Sequence, residues 1–340
     1  MKVSFYISKI ANHFFFVQNL SEWHFSCRKS YNKEWLEITG PLKENEIEAL
    51  ASLRRLLSKY SFKPLKQAPS LNIFEYFIRF EELKTNNTIF DEKEYEIYFS
   101  AMDIFRHRFE QIWGEDSVKL EKIRGLLEKE FSKEKENVLN DLKILFKSKV
   151  KVNDDYTVYL FISTGPYGGG GGANIGPRKV SLECSSTKKE FINHKLAILW
   201  HEITHKILKS YIDEYKKEFI KNNKSIKLKD VIKKSDFDYL SELLTYSLFT
   251  DASALTEKYF PTKISSRLSQ IVKDDDSEKI TKSNFTFPML LIYYNGQSII
   301  NMINKKSYVS PEEMSKIIYN NQKKVEKYFI DHDKEVIWTS

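Results

Sequence analysis

Residues 201–205 read His-Glu-Ile-Thr-His. On a helix, His201 and His205 fall one turn apart on the same face, so each can offer an imidazole nitrogen to a single metal ion. Glu202, next to the first histidine, can then reach a metal-bound water without being a ligand and serve as its general base. That chemistry needs a third ligand and a helix rigid enough to hold the set.

The flanking residues predict the helix. Thr187 and Glu190 have capping-box spacing. Ile192, Leu196, Leu199, Ile203 and Ile207 recur at intervals of three and four, a core-facing stripe. His194, Ile198, His201, His205 and Leu208 form a second stripe. Residues 196–200 are apolar on every side, which predicts burial there. Buried histidines need partners for their ring nitrogens. Zn2+ is one answer, and the H-E-x-x-H spacing is that of zinc hydrolases. Hydrogen bonds to backbone or carboxylate in a purely structural core are the other.

A catalytic zinc takes three protein ligands and keeps one position open. The extended form with a histidine six residues past His205 is excluded, because Leu208 and Tyr211 stand at the positions it requires. Glu242 is the candidate third ligand. It lies on a helix expected from Asp236 to about Phe260, whose apolar stripe is Phe237, Leu240, Leu244 and Leu248. Between Tyr239 and Thr250 it is the only charged residue, with Tyr239, Tyr246 and Phe249 as helical neighbours. A lone carboxylate on an aromatic strip is costly to bury unless paired, and a metal pairs it. An exposed Glu242, or one bonded to a tyrosine hydroxyl, is the competing reading. Asp251 is the fallback ligand.

With these residues the chain resembles the gluzincin branch of the zincin metallopeptidases, over roughly residues 155–260. The resemblance implies His201, His205 and Glu242 as ligands of Zn2+. It implies Glu202 as the base that activates a zinc-bound water against a peptide carbonyl, and a peptide or protein as substrate. It also implies a zincin-like domain: a small mixed sheet, an active-site helix and a C-terminal helical subdomain walling the cleft. Two positions depart from the family pattern. Lys206 stands where an uncharged residue is usual, and Tyr246 where many members carry an acid that orients a ligand histidine. They motivate an alternative reading, a zincin-fold binding or regulatory module with weak or no hydrolysis.

Upstream, residues 156–163 (Tyr-Thr-Val-Tyr-Leu-Phe-Ile-Ser) predict a strand, and residues 179–183 (Lys-Val-Ser-Leu-Glu) another. Between them lie five glycines, Gly168 to Gly172. By resemblance this run lies near the edge where substrate pairs, and glycines would let a peptide backbone approach; a plain hairpin loop is the equal alternative. No phosphate-binding register passes through it. Tyr246, Tyr293, Tyr294, Tyr308 and His332 are the candidates to stabilise an oxyanion.

The wider chain of 340 residues predicts an α+β, mostly helical protein with a mostly helical region of unknown role at 1–125 and the zincin-like domain at 126–340. Residues 1–40 read as a small β or irregular region with Phe14-Phe15-Phe16-Val17 as a strand. Helices are expected near 43–60, 72–84, 91–113, 116–148 with a break at Ser132, 286–303 and 310–330, the last opened by Ser310-Pro311-Glu312-Glu313. Hydrophobic content of 41% with 30% charged residues predicts a soluble globular protein. The excess of 54 basic over 47 acidic side chains, +7, is modest. Its densest cluster, Lys216, Lys217, Lys221, Lys224, Lys227, Lys229, Lys233 and Lys234, reads as a solvated insert, so nucleic acid is not the expected partner. Cys27 and Cys184 make no disulfide framework, and no signal or membrane-length apolar segment is visible, which predicts a cytoplasmic setting without a membrane partner. Oligomeric state stays open.

Overall fold

The computed structural model describes residues 1–24, 26–60, 63–66, 71–79, 81, 89–152, 154–164, 171–222, 239–263 and 287–331. They form a mostly helical protein with one small mixed sheet, in two compact units. The units are not contiguous in sequence: one comprises Met1–Glu128 and Asp155–Phe191, the other Lys129–Asp154 and Ile192–Ser340. The strands expected to belong with the motif helix therefore group with the N-terminal residues.

The reason is the first strand. β1 (Val3–Tyr6) pairs in parallel with β2 (Tyr156–Ile162), which pairs in parallel with β4 (Lys179–Cys184); β3 (Gly172–Asn174) adds antiparallel to β4 and closes the order β1-β2-β4-β3. The register sets Val158 opposite Val180 and Leu160 opposite Leu182. A central parallel strand is covered on both faces, so β2 reads as a near-continuous apolar run; Tyr156 and Val158 to Ile162 are all buried. Residues 165–170, with Gly168 to Gly170, lie outside the described residues.

Phe14 to Val17 are not a strand. They sit in α1 (Lys9–Leu20), whose N-cap Ser8 accepts from the backbone of Ala11. All four are buried, and a run covered on all sides has no periodicity to separate helix from strand. Asn12 fastens α1 to the sheet, donating to the Leu160 carbonyl (3.0 Å) and accepting from the Ile162 amide (2.7 Å). The helices α2 (Lys29–Thr39), α3 (Glu44–Tyr60) and α4 (Ile73–Ile78) follow; residues 80 and 82–84 of the helix expected at 72–84 lie outside the described residues. The buried Arg108 ties α2 to α3: it pairs with Glu46 and donates to the carbonyls of Thr39, Gly40 and Pro41, which the helix end leaves unsatisfied.

The two helices expected at 91–148 are one, α5 (Glu92–Phe146). Ser132 is exposed and does not interrupt it, since one serine in a helix interior costs only tenths of a kcal/mol, less than about 1.

The second unit is built on α6 (Lys189–Ile207) from Ile192 onward, with α7 (Lys209–Asn222), α8 (Tyr239–Leu248), α9 (Ala254–Tyr259), α10 (Phe287–Asn304) and α11 (Pro311–Asp331). The first predicted stripe of α6 is buried throughout. Trp200, wholly buried, stacks between Phe131 and Phe249 at 5.3 and 5.8 Å. Of the helix expected at 236–260, residues 236–238 with Phe237 lie outside the described residues, and the rest is broken in two. Ser253 donates to the Leu248 carbonyl and accepts from the amides of Thr250 and Thr256, ending α8 and capping α9 in one stroke. Asp141, nearly buried, holds α9 by accepting from Lys258 and Tyr259. Ser310 caps α11 through the Glu313 amide, with Pro311 as its first residue. Cys27 and Cys184 are both free thiols. Among the described residues no helix is long and apolar enough to cross a membrane.

Candidate metal centre

Two helices of the second unit bring His201, His205 and Glu242 together. Their ligand atoms, one from each residue, all lie within 4.8 Å of one another. α6 supplies the histidines one turn apart, and α8 brings the carboxylate to their Nε2 atoms. His201 Nε2 stands 3.1 Å from Glu242 Oε2, His205 Nε2 stands 3.1 Å from Glu242 Oε1, and the two Nε2 atoms are 3.2 Å apart. Tetrahedral coordination with bonds near 2.0–2.1 Å sets neighbouring ligand atoms about 3.3 Å apart, so these separations suit a shared metal ion. The donor set suits it as well. Two Nε2–H groups aimed at one carboxylate from 3.2 Å apart would oppose each other, whereas two lone pairs and a carboxylate converge on a cation without conflict.

The environment is enclosed. His201 is buried, and His205 and Glu242 keep less than a fifth of their side chains exposed. Burial alone would raise the Glu242 carboxyl. Hydrogen bonds from His201 and His205 outweigh it and hold the group down at about 2. Burial would lower the His205 imidazole, but its bond to Glu242 carries it above the ordinary histidine value. Glu202, half-buried on the same turn, is not one of the convergent ligands. Burial lifts its carboxyl above the usual range, and it feels the charges of His201, His205 and Glu242.

Asp251, the fallback ligand, is engaged elsewhere. It pairs with His194 at 2.8 Å, two turns before His201 on α6. Lys206 is exposed, so the charge after the second histidine faces solvent. Of the oxyanion candidates, Tyr246 packs its ring on His201, with centroids 4.5 Å apart and planes 21° from parallel. Tyr293 is buried beside Tyr294, while Tyr294 and Tyr308 each lie under a lysine ammonium, from Lys324 and Lys147. His332 and the lysines from Lys224 to Lys234 lie outside the described residues.

Sequence reading missed the neighbours of His205. Its Nδ1 lies 3.1 Å from Ser241 Oγ, and Thr245 Oγ1 lies 3.3 Å from its Nε2. A proton on Nδ1 directed at Ser241 leaves the Nε2 lone pair free for a metal. A signal was present: Ser241, Glu242 and Thr245 are the polar positions on one face of an otherwise apolar turn of α8.

No protein-family model, no curated protein and no solved structure matches this chain.

Proposed function

We propose that this protein is a zinc-dependent metallopeptidase of gluzincin type. The observation that carries the proposal is the meeting of His201, His205 and Glu242 with Glu202 on the same turn of α6. A set of two imidazoles and one carboxylate is the ligand set of catalytic zinc in hydrolases and leaves a coordination position open. Zinc, when bound, supplies a Lewis acid that acidifies water and polarises a carbonyl.

The protein's own residues do the rest. Glu242 and the two imidazoles fix the position of the charge, and Ser241 fixes the tautomer of His205. Glu202 accepts the proton that the attacking water loses as it adds to the peptide carbonyl, then delivers it to the leaving nitrogen. The helices that follow α8 in the same unit support the reading, since the resemblance implies a helical subdomain after the ligand glutamate. A peptide or protein is the substrate class that the resemblance to gluzincins implies.

The test is hydrolysis of a broad peptide library by zinc-loaded protein, beside Glu202→Gln. Cleavage abolished in the variant with zinc retained supports the proposal. Cleavage unchanged in the variant refutes the role of Glu202. Zinc uptake without cleavage by the wild type favours the second reading, a zinc-binding or regulatory module. That reading draws on Lys206 and Tyr246, which depart from the family pattern, and on His201 Nδ1, buried and without a hydrogen-bond partner among the described residues.

A further inference from the structure

The two ligand histidines are held in different ways. His205 has Ser241 Oγ at its Nδ1. His201 Nδ1 is buried and, among the described residues, has no hydrogen-bond partner. What meets the His201 ring instead is Tyr246, stacked face to face at 4.5 Å. Tyr246 follows Glu242 by one turn of α8. The carboxylate at the edge of the imidazole and the phenol ring on its face therefore come from one face of the same helix.

A metal-ligating histidine is normally steadied by an acceptor on its second nitrogen, which sets the ring's orientation and strengthens its lone pair. Among the described residues nothing accepts from His201 Nδ1. Stacking does part of the same work. It fixes the plane of the ring and shields one face from water. An imidazole that gives its lone pair to a cation turns electron-poor, and the electron-rich face of a tyrosine stabilises it. We propose that Tyr246 is the positioning residue of His201, acting through its aromatic face in place of a hydrogen bond, and that the aromatic ring rather than the hydroxyl sets the zinc affinity of the site. The proposal rests on the metal-site reading above.

Zinc affinity, measured by competition with a chromophoric chelator, tests it in full-length wild type, Tyr246→Phe, Tyr246→Leu and His201→Ala. The cobalt(II) absorption spectrum gives a second readout of ligand geometry. Tyr246→Phe should bind zinc within about threefold of wild type and overlay its cobalt spectrum. Tyr246→Leu, similar in apolar bulk but without a ring, should bind about 10–100-fold more weakly, the range for loss of an orienting partner, and should alter the spectrum. A Leu variant equal to wild type in both readouts overturns the proposal while leaving the metal site intact. A Phe variant as weak as the Leu variant assigns the role to the hydroxyl and also overturns it. Wild type that takes up no zinc overturns the metal reading, and the proposal with it. Should the Leu variant fail to fold, the zinc-loaded wild type decides by NMR. His201 ring protons shifted upfield by the Tyr246 ring current support the stack; unshifted positions refute it.

Discussion

His13 and His201 make a natural pair. Each is shielded within its own unit and stacked on an aromatic ring, His13 on Phe109 at 4.6 Å and His201 on Tyr246 at 4.5 Å. Among the described residues each leaves one buried ring nitrogen without a hydrogen-bond partner, Nε2 in His13 and Nδ1 in His201. They part in what their surroundings ask of the imidazole. Around His13, burial drives the pKa down to about 4; Arg106 and Lys9 add to the fall, and Glu110 and Asp103 only partly oppose it. The surroundings of His13, a partly buried side chain, favour its neutral form. His201 instead aims its Nε2 at a half-buried carboxylate and a second imidazole, each about 3 Å away. A shielded, stacked histidine is thus no sign of chemistry. Convergence with a second histidine and a carboxylate from another helix is what could hold a metal ion, and it is tertiary in origin.

Removing the carboxylate should erase the difference. Glu242→Ala leaves two core histidines resembling His13, and zinc affinity should fall by more than the roughly hundredfold that loss of an outer partner costs; chelator competition measures it, and an unchanged affinity would put the metal elsewhere. Glu202→Gln should leave zinc binding alone and lower peptide hydrolysis by about 10²–10⁴-fold, the usual share of a general base. A drop in zinc content with the rate would make Glu202 a ligand instead.

On the other side of the pair, His13 should register as a pH-dependent liability. Its folded pKa of about 4 lies below the ordinary 6.5. Above 6.5 both folded and unfolded states are neutral there and nothing is lost. As pH falls from 6.5 toward 4, the unfolded chain binds a proton that the folded one refuses. Stability drops by about 2–3 kcal/mol, and the loss levels off below that window. His13→Phe should lack this increment when urea unfolding at pH 7 and pH 4.5 is compared with wild type; equal losses in the two proteins would show that His13 is not held neutral. The smallest effect belongs to the His194–Asp251 pair, whose side chains keep 28% and 23% of their exposure. Asp251→Asn should cost about 1 kcal/mol or less in thermal unfolding and leave zinc binding unchanged. A loss of zinc would return Asp251 to the ligand set.

Legibility in sequence followed local periodicity. The central strand, the alternating strand after the glycines and the stripe of α6 carry patterns that neighbouring residues enforce, and each is found within about a residue of its expected span. Glu242 was legible because one charge among aromatics is costly without a partner. Phe14 to Val17 were misread because a helix covered on every side has no polar face to reveal its period. The break at Ser253 and the unbroken passage through Ser132 hinge on one hydroxyl: the first finds an amide and a carbonyl to bond, while the second stays exposed on a continuing helix. The division into units was hidden as well, because it depends on β1 pairing with a strand some 150 residues away. Ser241 and Tyr246 are ordinary residues by type; only the helix crossing gives them a histidine to orient.

The most direct test is zinc content by elemental analysis of wild-type protein after zinc is supplied and excess removed, beside His205→Ala. The metal centre predicts one zinc per chain in the wild type and none retained in the variant. Wild type that holds no zinc, or a variant that keeps it, would make His201, His205 and Glu242 a hydrogen-bonded core cluster and contradict the account at its centre.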